Sequence, residues 1–177
     1  MKKQTFMYFA FLSLILFSCK SNELTREKAK EIIITKNNFP SFQKKEFQTS
    51  SYHISVNRDV PTFEKLQQAG LITYNLDDLY LTAEFTEKGK EFVVSQERKG
   101  YYVDKFVDVK VAILSFGEVT GIQKMSEKNI AEVSYTVNRT CTPFGQYLFN
   151  YSDGVVTQKA IFKQYDDGWR MEANNNN

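Results

Sequence analysis

Apolar residues recur along this chain with changing periods, and each change marks a boundary between elements. The run from Phe6 to Phe17 is apolar except for Ser13 and follows Lys2 and Lys3. A helix spanning hydrocarbon needs roughly twenty apolar residues, so a run of about twelve behind a basic start reads as the core of a cleavable export signal. Residues 1–18 are therefore set apart from the fold. From Leu24 to Asn37 the period becomes helical: Ala29, Ile32, Ile33 and Lys36 recur at turn spacing, Thr25 is placed to cap, and Asn37-Asn38-Phe39-Pro40 stops the run. Residues 41–60 carry little pattern beyond Tyr52, Ile54 and Val56 alternating as a short strand before Pro61. Thr62 to Ala69 is a second predicted helix, apolar at Phe63 and Leu66 and ended by Gly70. Strands over 71–74 and 79–86 follow, joined by a turn at Asn75-Leu76-Asp77-Asp78.

From Tyr101 the period is two. Val103, Lys105, Val107, Val109, Val111 and Ile113 fall on one side of a long predicted strand that Gly117 closes, with Glu118–Ile122 as a short partner. Over Asn129–Arg139 the alternation is clean, predicting Ala131, Val133, Tyr135 and Val137 inward and Glu132, Ser134, Thr136 and Asn138 outward. Thr140–Gly145 reads as a loop and Tyr147–Tyr151 as a strand. Val155–Tyr165 and Trp169–Glu172 flank Asp166-Asp167-Gly168, a hairpin signal because Asp and Gly tolerate positive φ.

Composition narrows the function classes. Removing residues 1–18 leaves 159, enough for one domain of ordinary size or two small ones. It also takes Lys2 and Lys3 from the 23 basic side chains, so 21 basic face 21 acidic ones. Leu24–Gln96 and Glu97–Asn177 are each balanced, ten basic against ten acidic. Neither has the excess of cations that a nucleic-acid backbone requires, so no nucleic-acid partner is expected. The 15 Phe and 10 Tyr suit β-rich structure and contact with protein or carbohydrate alike.

Leu16-Phe17-Ser18-Cys19 resembles the lipobox of bacterial lipoproteins, in which an aliphatic residue and a small residue lead into the cysteine that receives lipid. The resemblance implies cleavage before Cys19, a lipid on its thiol and a polar tether over residues 19–23. A thiolate is the best available nucleophile for forming that thioether. Each buried methylene contributes on the order of 0.8 kcal/mol, so two or three acyl chains would hold the protein almost irreversibly. By analogy with enterobacterial sorting, Lys20 rather than Asp after the cysteine directs the chain to the outer membrane of a host with two membranes.

Two further resemblances concern the fold. F-E-K-L-Q-Q-A-G-L-I, a two-stranded hairpin and F-T-E-K-G-K-E-F-V-V look like the helix, wing and closing segment of winged-helix domains, over residues 62–96. In such domains the helix before the wing reads DNA with basic and polar side chains, whereas Thr62–Ala69 offers one Lys and one Glu. The succession of strands after residue 100 is similar to cystatin-like and nuclear-transport-factor-like sheets. The expected fold is α+β. A winged-helix-like part over 24–98 packs with an antiparallel, curved, β-rich part over 99–173, and 174–177 form a polar tail.

Candidate chemistry is sparse. The lone histidine, His53, sits in the short strand beside Tyr52, and a structural role fits it better than catalysis. Asp77-Asp78 and Asp166-Asp167 are explained by turn formation. With Cys19 lipidated, Cys141 has no disulfide partner and reads as a buried small hydrophobe, a reactive thiol being the alternative. No G-x-S-x-G, G-x-G-x-x-G or P-loop pattern is present, so no catalytic residue, metal or cofactor is assigned. Tyr165, Trp169 and Arg170 around the final hairpin are the candidate binding residues, since these types are enriched at binding hot spots. The competing reading places Trp169 in the core. The expected function is that of a non-enzymatic envelope lipoprotein that binds a protein, peptide or glycan near the membrane. An exported hydrolase-type enzyme with a dispersed carboxylate or Cys141 site, His53 being the one candidate base, is the second reading, and a winged-helix nucleic-acid binder the third.

Overall fold

The computed structural model describes residues 23–52, 60–77, 80–99, 104–125 and 129–172. Along the chain these form α1 (Arg26–Asn37), β1 (Ser41–Tyr52), α2 (Val60–Gln68), β2 (Ile72–Asp77), β3 (Tyr80–Phe85), α3 (Glu87–Lys90), β4 (Arg98–Lys99) and β5 (Lys105–Met125). They continue with β6 (Ile130–Cys141), α4 (Pro143–Phe149), β7 (Gly154–Tyr165) and β8 (Gly168–Met171). The eight strands make one open antiparallel sheet in the order β2-β3-β1-β5-β6-β7-β8, with β4 alongside β5. The fold is α+β. Strands from both sides of residue 98 share this sheet, because β1 pairs with β5 over almost its whole length.

The helix ends obey their local chemistry. Thr25 accepts the Lys28 N–H at 3.2 Å, and Asn38 takes the left-handed conformation that lets the chain turn back after α1. Gly70, at φ +71°, ends the second helical run. The hairpin β2–β3 follows it, but it is no free wing: β3 also pairs with β1.

Strand β5 departs most from the expected pattern. It runs unbroken through Gly117, so the predicted closure there and the separate strand over 118–122 are both corrected. Its register explains the difference. Phe47 pairs with Val107 and Gln43 with Ala112, and β1 alternates without interruption between them, so Val107 and Ala112 lie on the same face although their numbers differ in parity. One extra β5 residue at Val111 shifts the phase. Ile113 is thereby turned outward, 47% exposed, and the expectation that it continues the valine face is wrong. Two more irregularities, between Phe116 and Gly121, shift the phase again. Buried Cys141, Val137, Tyr135 and Val133 of β6 then face Ala112, Phe116, Val119 and Ile122. The three irregularities let one strand keep apolar side chains on one face while bending.

Both hydrophobic clusters lie on that face. The first joins Phe47, Val107, Val109 and Val111 to Phe63 and Leu66 of α2 and Phe144 of α4. The second joins Ala29 and Ile33 of α1 to Val119, Val133, Val137, Ala160, Phe162 and Trp169. Each fully buried side chain of this size contributes about 1.5–3 kcal/mol.

The segment expected to be a loop and then a strand, Thr140–Gly145 and Tyr147–Tyr151, holds α4 instead. Thr142 caps it by accepting the Gly145 N–H, and its hydroxyl donates to the Lys110 carbonyl at 2.7 Å. Pro143 starts the helix and Asn150, left-handed, ends it. Gly145 allows the helix to lie directly on β5: a Cβ there would sit 2.0 Å from the Val111 carbonyl oxygen.

Candidate functional site

The final hairpin carries the residues singled out from sequence. Tyr165 pairs with Gly168 across the turn, and Gly168 takes φ +132°. The register then sets Lys163 opposite Arg170 and Gln164 opposite Trp169. Alternation divides the three candidates. Trp169 turns to the helix-bearing face and is 8% exposed in the second cluster, while Tyr165 and Arg170 turn to the helix-free face. There the Arg170 guanidinium stands 5.1 Å from the Tyr165 ring centre and Lys163 Nζ 5.3 Å from it. The Tyr165 hydroxyl donates to Glu172 Oε1 at 3.0 Å, and that bond holds the phenol pKa above its ordinary value. Arg170 also pairs with Asp167.

Trp169 forms one wall of a cleft of about 190 Å³ at the end of the second cluster, together with Glu23, Lys124, Met125, Asn129, Ile130 and Gln164. Asn129 is left-handed at φ +50°, and its carbonyl accepts the Gln164 N–H at 2.8 Å. The Glu23 carboxylate accepts from the Lys124 ammonium, which holds the acid below its usual range. An apolar wall with an ion-paired rim suits a small contact, but offers no paired acid and base.

A second polar group lies where β1, β4 and β5 meet. Arg98 donates to Asp108 at 2.9 Å and to Glu46 at 3.0 Å, and Lys44 Nζ donates to Asp108 at 2.8 Å. Asp108 is buried beneath these partners, and its own N–H donates to Ser95 Oγ at 2.7 Å. The hydrogen bond from Arg98, then that from Lys44, lowers the Asp108 pKa to about 2. An acid held so low stays ionised and does not exchange protons near neutral pH. The cluster instead ties the segment over residues 95–99 to the sheet. This cluster was missed from sequence, because its members lie 64 residues apart at the widest and no local spacing joins them.

Cys141 is buried and free, with its N–H donating to Asp153 Oδ1 at 2.7 Å. Burial pushes its thiol pKa up, away from the thiolate that a nucleophile requires. Among the described residues no group of three or more His, Cys, Asp or Glu is placed to hold a metal ion. Cys19 and His53 lie outside the described residues.

The face that no helix of the described residues covers carries exposed apolar side chains. Phe42 and Ile113 are cross-strand partners, 48% and 47% exposed, and Lys110 Nζ stands 5.6 Å from the Phe42 ring centre. Val155, near the start of β7, is 65% exposed on the same face.

Comparison of the chain with protein-family models, with curated proteins and with solved structures finds no match. Among the described residues, no helix is long and apolar enough to cross a membrane.

Proposed function

We propose that this chain is a lipid-anchored protein of the bacterial cell envelope, exported by residues 1–18, cut before Cys19 and held on the membrane by lipid on that cysteine. Its body is a non-enzymatic module that binds a protein or peptide partner, with a glycan as the alternative ligand. The placement favoured is the outer membrane where the host has two. The observation that supports a binding role is the Phe42–Ile113 pair, which leaves two large apolar side chains together and exposed on a sheet face that no helix of the described residues covers. Isolated exposed apolar residues are ordinary, but adjacent ones on a rigid sheet, rimmed by Lys44 and Lys110, form a prepared contact. Their partner is expected to be apolar at its centre.

The test is site-specific photocrosslinking in intact envelopes. A crosslinking side chain at position 113 is expected to give a discrete adduct, and one at Lys30, exposed on α1, is expected to give none. No adduct from either position 42 or 113, together with no glycan retention by the purified chain, defeats the reading.

A further inference from the structure

We infer that the end of the body bearing Met125, Lys163, Tyr165 and Arg170 faces the bilayer and meets its lipid headgroups, an orientation that rests on the lipid at Cys19. Leu24 is buried in the second cluster and Glu23 is paired with Lys124, so the polypeptide is fixed to the body at this point. Cys19 lies four residues before Glu23. Even fully extended, four residues span no more than about 14 Å. A lipid in the bilayer at Cys19 therefore keeps the Glu23–Lys124 end of the sheet within about that reach of the acyl chains.

The surface at that end has the chemistry of a headgroup contact. Met125 pairs with Ile130, Ile130 with Lys163 and Lys163 with Arg170, so these four residues form one row across four strands. Tyr165 lies two residues further along β7 on the same face, with Lys163 and Arg170 over its ring. Met125 and Tyr165 are both exposed. An exposed tyrosine and methionine beside Lys163 and Arg170 suit the boundary between water and hydrocarbon, where the apolar stems sink and the Lys163 head reaches phosphate. Arg170 and Lys124 keep Asp167 and Glu23 as carboxylate partners at the same end. The opposite end of β7, at Val155, lies ten residues from Tyr165 and is therefore roughly 33 Å away along the strand.

The experiment uses the full lipidated chain bound to vesicles of phosphatidylethanolamine and phosphatidylglycerol doped with a headgroup nitroxide lipid. Trp169, the single tryptophan of the chain, reports from the cleft at the proposed membrane end. A second protein, Trp169→Phe with Val155→Trp, reports from the far end. Quenching is expected to be several-fold stronger for Trp169 than for the reporter at position 155. Lys163→Glu with Arg170→Glu is expected to reduce Trp169 quenching at least two-fold while the protein still floats with the vesicles. Equal quenching of the two reporters on floating protein overturns the orientation and leaves the anchor standing. Quenching unchanged by the charge reversals overturns the headgroup contact. A chain that does not float overturns the anchor and the orientation together.

Discussion

The two clusters on the helix-bearing face differ in how their aromatic rings are arranged. Under α2 and α4 the first is aromatic: the Phe47 ring lies 5.6 Å from each of Phe63, Phe85 and Phe144, and Phe144 reaches Phe92 at 5.8 Å. Large rings meeting at an angle fill the space between short helices and sheet, and glycine brings the backbones close at Gly145 on Val111 and Gly89 on Leu71. Under α1 the rings of the second cluster form a shorter chain, Phe39 to Phe116 at 6.5 Å and Phe116 to Tyr135 at 6.2 Å, set among valines and alanines. This cluster ends in the cleft beside Trp169. The aromatic cluster reads as the mechanical support of the sheet. The cluster that ends in the cleft lies where the described chain begins, at Glu23 and Leu24.

Truncation separates them most strongly. Phe144→Ala is expected to destabilise by about 3–5 kcal/mol, because contact with the rings of Phe47, Phe85 and Phe92 is lost and a cavity remains, whereas Trp169→Phe at the cleft is expected to lose less than about half of that. Urea midpoints of the two variants test this, and equal losses would mean that the cleft end is packed as tightly as the aromatic one. Next in size is the close approach of α4. Gly145→Ala forces a methyl onto the Val111 carbonyl and is expected to destabilise by roughly 3 kcal/mol, while Gly121→Ala, with nothing within 4 Å of its Cβ, is expected to change stability by less than about 0.5 kcal/mol. Thr25→Ala, which removes the cap of α1, is expected to lower stability by about 1 kcal/mol. Thr142→Ala is expected to lose more, since that hydroxyl also donates to Lys110. Thermal unfolding of this pair ranks the two caps.

The smallest effect is electrostatic. The Asp108 pKa is lowered from 3.8 to about 2 on folding, so its ion pairs contribute stability fully above the ordinary value. That contribution is lost as pH falls through about 4 toward 2. Asp108→Asn is expected to flatten the acid limb of a stability profile within that window and to leave the slope above pH 5 unaltered. A change confined to neutral pH would place the effect elsewhere.

How legible the fold is in the sequence varies by element. Thr25, Ala29, Ile33 and Asn38 spell out α1, and the alternation of Ala131, Val133, Tyr135 and Val137 spells out β6, because each element buries one regular face. Strand β1 is nearly unreadable: between Ser41 and Gln48 only Phe47 is buried, so the strand is set by pairing with β5 rather than by its own side chains. In β5 the phase shifts hide one face behind changing parity, and nothing local at Lys110-Val111-Ala112 announces the first of them. Helix α4 did carry its signals in Thr142, Pro143 and Asn150, with Phe144, Tyr147 and Leu148 at helical spacing. At seven residues, the helix is too short for its period to separate it from a strand. As for the candidate site, Tyr165 and Arg170 are brought together by hairpin register, which the turn residues make readable. The Phe42–Ile113 pair depends on the shifted register of β1 and β5 and could not be read from either strand alone.

The proposal as a whole stands on the chemistry of one cysteine. Growing cells with an alkyne analogue of palmitate and reading the purified chain by mass spectrometry tests it directly. The predicted product begins at Cys19, carries the label and loses it in Cys19→Ser. An unlabelled chain that keeps Met1 and is recovered in the soluble fraction contradicts the account.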